Sequence, residues 1–155
     1  MNIQQKQGRY QRIYKQLQEL LLKPGNKLSA MATIAAVLQH KMEYFFWTGF
    51  YILDQDNLIV GPYQGPVACQ LLATDVGVCW AALNQKKSLI VPDVHKFPGH
   101  IACDSRSRSE IVIPLKNKQG GIWGVLDVDS KELNSFDETD QEGLERILDL
   151  LSEKV

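Results

Sequence analysis

"SEIVIPLKNKQGGIWGVLDVDS", residues 109–130, decides how this chain folds. Both ends of the stretch alternate side chains between two faces, and Lys118-Gln119-Gly120-Gly121 supplies the polar, glycine-rich link of a hairpin. In the second arm Asp127 and Asp129 project to one face, with Leu126 and Val128 opposite. In the first arm Glu110 points one way, Ile111 and Ile113 the other. Paired as a hairpin, the arms bring Glu110 near Asp127 or Asp129. Two or three carboxyls on one face repel each other, so at least one pKa should rise, as a general acid working near neutrality requires. The same alternation also describes the solvated face of a half-exposed sheet.

Working outward, "YFFWTGFYIL" (44–53) and "NLIVGPYQG" (57–65) read as aromatic and β-branched strands turning at Asp54–Asn57. "TDVGVCWAALNQKK" (74–87) predicts a short helix over 76–86, and "SLIVPDV" (88–94) a strand ended by Pro92-Asp93. Tyr10, Ile13, Tyr14, Leu17, Leu20 and Leu21 share one helical face before Pro24-Gly25. A second helix from about Ser29 carries Met31, Ile34, Ala35 and Leu38. The closing helix is expected to start at a capping box of Ser135 and Glu138, with Leu144, Ile147, Leu148 and Leu151 inward. Helices at both ends of a run of hairpins predict an α+β fold, a single domain over 1–155. Its mainly antiparallel sheet of about five to six strands carries the N- and C-terminal helices on one face. Loops and the short helix cover a ligand pocket on the other.

Apolar residues make up 45% and charged residues 23% of the 155, a globular composition. The formal net charge is -1 with Lys and Arg scattered, which argues against nucleic acid or an anionic membrane as partner. The N-terminus lacks the apolar core and cleavage site of a signal peptide, and "AMATIAAVL" (30–38) is too short to cross a bilayer. A cytoplasmic location is expected. In that compartment Cys69, Cys79 and Cys103 do not read as a structural disulfide framework. With no CxxC and no paired spacing among His40, His95 and His100, no metal is expected.

Three unrelated buried thiols would be an ordinary explanation, but the surroundings differ. Cys103 lies in "FPGHIACDSRSRSEIVIP" (97–114), close to His100, Arg106 and Arg108, which favour thiolate. Cys79 falls in the first turn of the short helix, where the dipole lowers a thiol pKa. Activated thiols near carboxyls suggest redox chemistry; the residues themselves carry the reading no further.

Taken together, "WTGFY", "GPVAC", "GVCWAA", the cysteine loop and "GVLDVDS" resemble the free methionine-(R)-sulfoxide reductases, which are built on a GAF domain. The resemblance covers about residues 10–153. It implies that a thiolate attacks the sulfoxide sulfur, that an acid protonates the departing oxygen, and that the resulting sulfenic acid condenses with a second cysteine. On that reading Cys103 attacks and Cys69 is the first choice to resolve, with Cys79 a relay or second partner and the order of the three open. Glu110 is the acid, Asp127 and Asp129 hold the α-ammonium, and Trp47 and Tyr51 line a wall for the S-methyl group. His100 stays outside the chemistry. Thioredoxin is the implied reductant and free methionine sulfoxide the substrate; no cofactor is implied, and a homodimer is left open. Trp80 departs from the family pattern, which has a small residue after this cysteine, and is expected to narrow the pocket mouth. A ligand-sensing GAF domain without catalysis, or a thiol redox sensor without substrate, are the alternatives.

Overall fold

A computed structural model describes residues 1–100 and 103–155. Two helices open the chain, α1 (Ile3–Leu21) and α2 (Lys27–Lys41). Each is started by an asparagine whose side chain accepts from the third helical N–H, with Gln5 and Ser29 closing the reciprocal bond. The strands β1 (Trp47–Asp54) and β2 (Asn57–Gln64) follow, joined by Gln55 and Asp56, both at positive φ. This is the two-residue turn whose twist suits a hairpin. Then come β3 (Leu71–Leu72), α3 (Gly77–Gln85) and β4 (Leu89–Val91). The hairpin of β5 (Ser109–Lys116) and β6 (Ile122–Ser130) precedes the last helix, α4 (Glu138–Ser152).

The six strands form one sheet in the order β3-β2-β1-β6-β5-β4, every pair antiparallel. Alternation sorts the side chains into two cores. Phe50, Ile111, Ile113, Leu126 and Val128 face α1, α2 and α4 in the larger one. Trp47, Tyr51, Val91, Val112 and Val125 face α3 and its neighbouring loops in the smaller. Many of these side chains are fully buried, and each Leu or Ile so buried contributes about 1.5–3 kcal/mol. The α+β architecture, the helices on one face and the covered pocket on the other follow the sequence reading.

The start of α4 corrects one expectation. Its N-cap is Asp137, which accepts from Thr139 and Asp140, while Asp140 accepts from the Asp137 N–H. Ser135 instead donates to Ser130 Oγ at 2.7 Å. Capping two residues later leaves Phe136 just outside the helix, where it is buried against Phe45. Lys6 of α1 ties this junction together. Its ammonium lies 2.6 Å from Asp140 and 3.1 Å from Asp137, and also donates to the Ser135 carbonyl. Asp140, wholly buried, accepts in addition from the hydroxyls of Tyr10 and Tyr44.

Candidate active site

The sheet register builds the floor of the pocket. Glu110 on β5 stands directly opposite Asp129 on β6, which stands opposite Trp47 on β1. One step along, Asp127 faces Val112 and Gly49. The three acids and Trp47 therefore share the face that looks at α3. With Tyr51, Cys69, Cys79 and Cys103 they line one cavity of about 200 Å³. All eight residues singled out from the sequence come together here. Among the described lining residues none is a lysine or arginine.

Trp47 forms the aromatic wall. Its indole stacks on Tyr51 at 5.7 Å and on Tyr63 at 5.3 Å, and Nε1 donates to the Pro66 carbonyl at 3.1 Å. Gly49 makes this possible: a Cβ there would collide with both the indole and Tyr63. Tyr51 donates to the Cys69 carbonyl at 3.4 Å. The wall thus anchors the loop that carries Cys69. At the rim, Cys69 is half-buried and joined to the exposed Cys103 by a disulfide, with Cα atoms 5.6 Å apart.

Burial governs the electrostatics of the floor. It raises the carboxyls of Glu110 and Asp129, and for both the neighbouring Asp127 charge adds to the effect. Burial also raises Asp127, although hydrogen bonds from Glu110 and Cys79 partly offset it. Cys79 corrects a second expectation. Despite its place in the first turn of α3, burial and then the charges of Asp127, Glu110 and Asp129 push its thiol well up. Desolvation beside three acids outweighs the partial charge of a short helix.

The basic neighbours of Cys103 are also otherwise engaged. Arg106 grips Asp104 with two hydrogen bonds of 2.9 and 2.7 Å and lies over the Phe46 ring. Those bonds hold the Asp104 carboxyl down at about 2. Burial, followed by His95, lowers His100, which favours the neutral imidazole. Arg108 is exposed. Trp80 is a third correction. It is buried at 5% exposure in the smaller core and does not line the cavity, because α3 turns it away from the face that presents Cys79. The sequence reading missed Phe46, Tyr63 and the buried Ser107 as parts of this site. Tyr63 comes to stand against Trp47 only through the pairing of β2 with β1.

A profile of the GAF domain family matches residues 28–155. The chain is 51% identical to GAF domain-containing protein A of Dictyostelium discoideum, over 94% of this chain and 92% of that one. It is 41% identical to the free methionine-R-sulfoxide reductase of Escherichia coli, over 78% and 73% respectively. A free methionine-R-sulfoxide reductase from Neisseria meningitidis, solved in complex with its substrate, superposes with a TM-score of 0.89 at 39% identity, covering 94% of this chain and 87% of that one. The fold is that of a GAF domain. Within that class, the chain belongs to the free methionine-(R)-sulfoxide reductase family.

Proposed function

We infer that this protein reduces free L-methionine (R)-sulfoxide to methionine with its own thiols and is recycled by thioredoxin. The observation that carries this reading is the bonded cysteine pair, Cys69 and Cys103, at the mouth of a pocket floored by buried acids. In the reduced chain the Cys103 thiolate attacks the sulfoxide sulfur. Glu110, whose proton is retained by burial and by the Asp127 and Asp129 charges, protonates the departing oxygen. Methionine leaves and Cys103 becomes a sulfenic acid: the substrate sulfur gains two electrons and the cysteine sulfur loses two. The Cys69 thiol then displaces water to form the disulfide, and an external dithiol returns both thiols by exchange.

Exposure at the rim favours Cys103 as attacker over Cys79, which is buried with its thiol pushed up. Asp127 and Asp129 hold the α-ammonium, while Trp47 and Tyr51 pack against the S-methyl group. Fixed positions of acid and thiol serve one sulfur configuration, so only the R epimer is consumed.

Methionine released per enzyme in a rapid-quench experiment without reductant tests the assignment. Cys103→Ser is expected to release none, and Cys69→Ser one equivalent before stalling. If Cys79→Ser is the inactive variant while Cys103→Ser completes a turnover, the attacker is misassigned. Equal loss of both epimers in chiral chromatography overturns the stereochemistry.

A further inference from the structure

The pocket floor brings a thiol and two carboxyls closer together than sulfoxide reduction uses them. Cys79 Sγ, one oxygen of Glu110 and one of Asp127 all lie within 4.8 Å of one another, and all three residues are buried. They arrive from three separate elements, α3, β5 and β6. Cys79 stands outside the disulfide. Asp127 is only 6% exposed, lines the cavity, and its Oδ1 is buried with no hydrogen-bond partner among the described residues. A buried carboxylate oxygen left without a donor is costly unless something cationic meets it.

The ammonium of an amino acid could meet a carboxylate here, but it would make no use of the Cys79 sulfur. One sulfur and two oxygens, with the remaining side open to the cavity, match the donor set that a borderline-soft divalent cation takes in an open site. Magnesium and calcium ask for more oxygens and have little use for a thiolate. Zinc bonds of about 2.3 Å to sulfur and about 2.0–2.2 Å to oxygen place tetrahedral donors about 3.6 Å apart. The three donors therefore need to close by at most a little over an ångström.

We propose that the pocket floor is also a site for a zinc-class divalent cation, held by Cys79, Glu110 and Asp127 with its fourth position facing the cavity. The inference rests on the same pocket as the proposed reaction. Two consequences separate it from that reaction. The cation and a free amino acid exclude one another, because both need Asp127. The site also persists in both oxidation states of the chain, since Cys79 is not consumed by the rim disulfide; a metal held by Cys69 and Cys103 would need both thiols reduced.

Cobalt(II) is the probe, added to the full-length protein in its reduced form and in its disulfide form. An intense near-ultraviolet charge-transfer band from sulfur to cobalt, saturating at one equivalent and abolished by added zinc, is expected in both. Cys79→Ser loses the band and Cys103→Ser keeps it, with folding of each checked by circular dichroism. Glu110→Gln, which leaves every thiol in place, is expected to weaken cobalt binding and so covers the case in which Cys79→Ser does not fold. Free methionine added to the disulfide form, where no turnover occurs, is expected to raise the cobalt concentration at half-saturation. Absence of the band overturns the site, as does a band that survives Cys79→Ser or vanishes on oxidation. A half-saturation point unmoved by methionine overturns the competition. Sulfoxide turnover without the band removes this inference alone, whereas the band without turnover removes the proposed function alone.

Discussion

Two clusters of carboxyls lie on opposite faces of the same sheet, and they are built on opposite principles. At the junction of α1 and α4, Asp140 receives the Lys6 ammonium and two tyrosine hydroxyls. Beside it, burial works to raise Asp137, but the hydrogen bond and charge of Lys6 bring its carboxyl down overall. In the pocket Glu110, Asp127 and Asp129 share a wall with no lysine or arginine among the described lining residues, and burial drives all three up. One cluster supplies its own cation. The other lacks one, so its charge is available to a ligand. Burial of an acid does not mark a site by itself; burial without a donor does.

That contrast makes Glu110→Gln the most demanding variant. Losing a positioned acid should cut kcat by about a hundredfold to ten-thousandfold. The melting temperature should hold or rise, because a glutamine, unlike Glu110, can never take up a charge on this crowded, dehydrated floor. Steady-state kinetics beside calorimetry decide it; a kcat within a few-fold of wild type would remove Glu110 from the proton transfer.

Lys6→Met probes the other cluster. It leaves Asp140 buried without its cation and should cost roughly 3–5 kcal/mol of folding free energy by denaturant titration. KM should not move in the fraction that remains folded. A loss below about 1 kcal/mol would mean that the two tyrosine donors suffice for Asp140.

Asp129→Asn should act mainly on KM, raising it by about tenfold for the loss of about 1.4 kcal/mol of binding while sparing kcat. N-acetylmethionine sulfoxide should be a poor substrate for the wild-type protein for the same reason, since acetylation removes the ammonium. Equal kcat/KM for the acetylated and free compounds would show that the acids do not read the amine.

The smallest effect is on pH dependence. Carboxyls raised above their unfolded value, ordinarily near 4, favour the protonated fold. Their contribution to stability is complete below about pH 4 and is lost as pH climbs through the raised values. Asp137, lowered overall, behaves the other way: its contribution is present above the ordinary carboxyl range and is lost as pH falls through the lowered value. Melting temperatures of wild type and Glu110→Gln across this range should therefore diverge with rising pH, the wild type falling relative to the variant. A constant gap would argue that burial does not raise Glu110.

Much of this is legible in the sequence. The period-two alternation around Asp127 and Asp129 separated pocket face from helix face because a strand offers only two directions. Helix interiors were readable for the same reason at period 3.6. Less could be read where several local signals compete. Ser135-x-x-Glu138 and Asp137-x-x-Asp140 are both capping patterns, and burial of Phe136 selects the second. Long-range geometry was the least accessible. The row Glu110, Asp129, Trp47 depends on β6 pairing with both β5 and β1, and the first of those pairings alone is a hairpin. The misjudged Cys79 thiol has the same origin: the helix position was local, but the acids facing it arrive from 31 and 48 residues away in sequence.

The rim disulfide has a consequence of another kind. It closes a loop across a separation of 34 residues, and such a link removes configurational freedom from the unfolded chain, by about 4 kcal/mol in the chain-entropy treatment. The bonded form should therefore be the sturdier of the two, melting higher in the absence of reductant than in its presence. By reciprocity, whatever tightens the fold also deepens the hold of the bond. Delivering electrons to this protein returns entropy to its unfolded ensemble, so the thiol form that meets a substrate is the softer one.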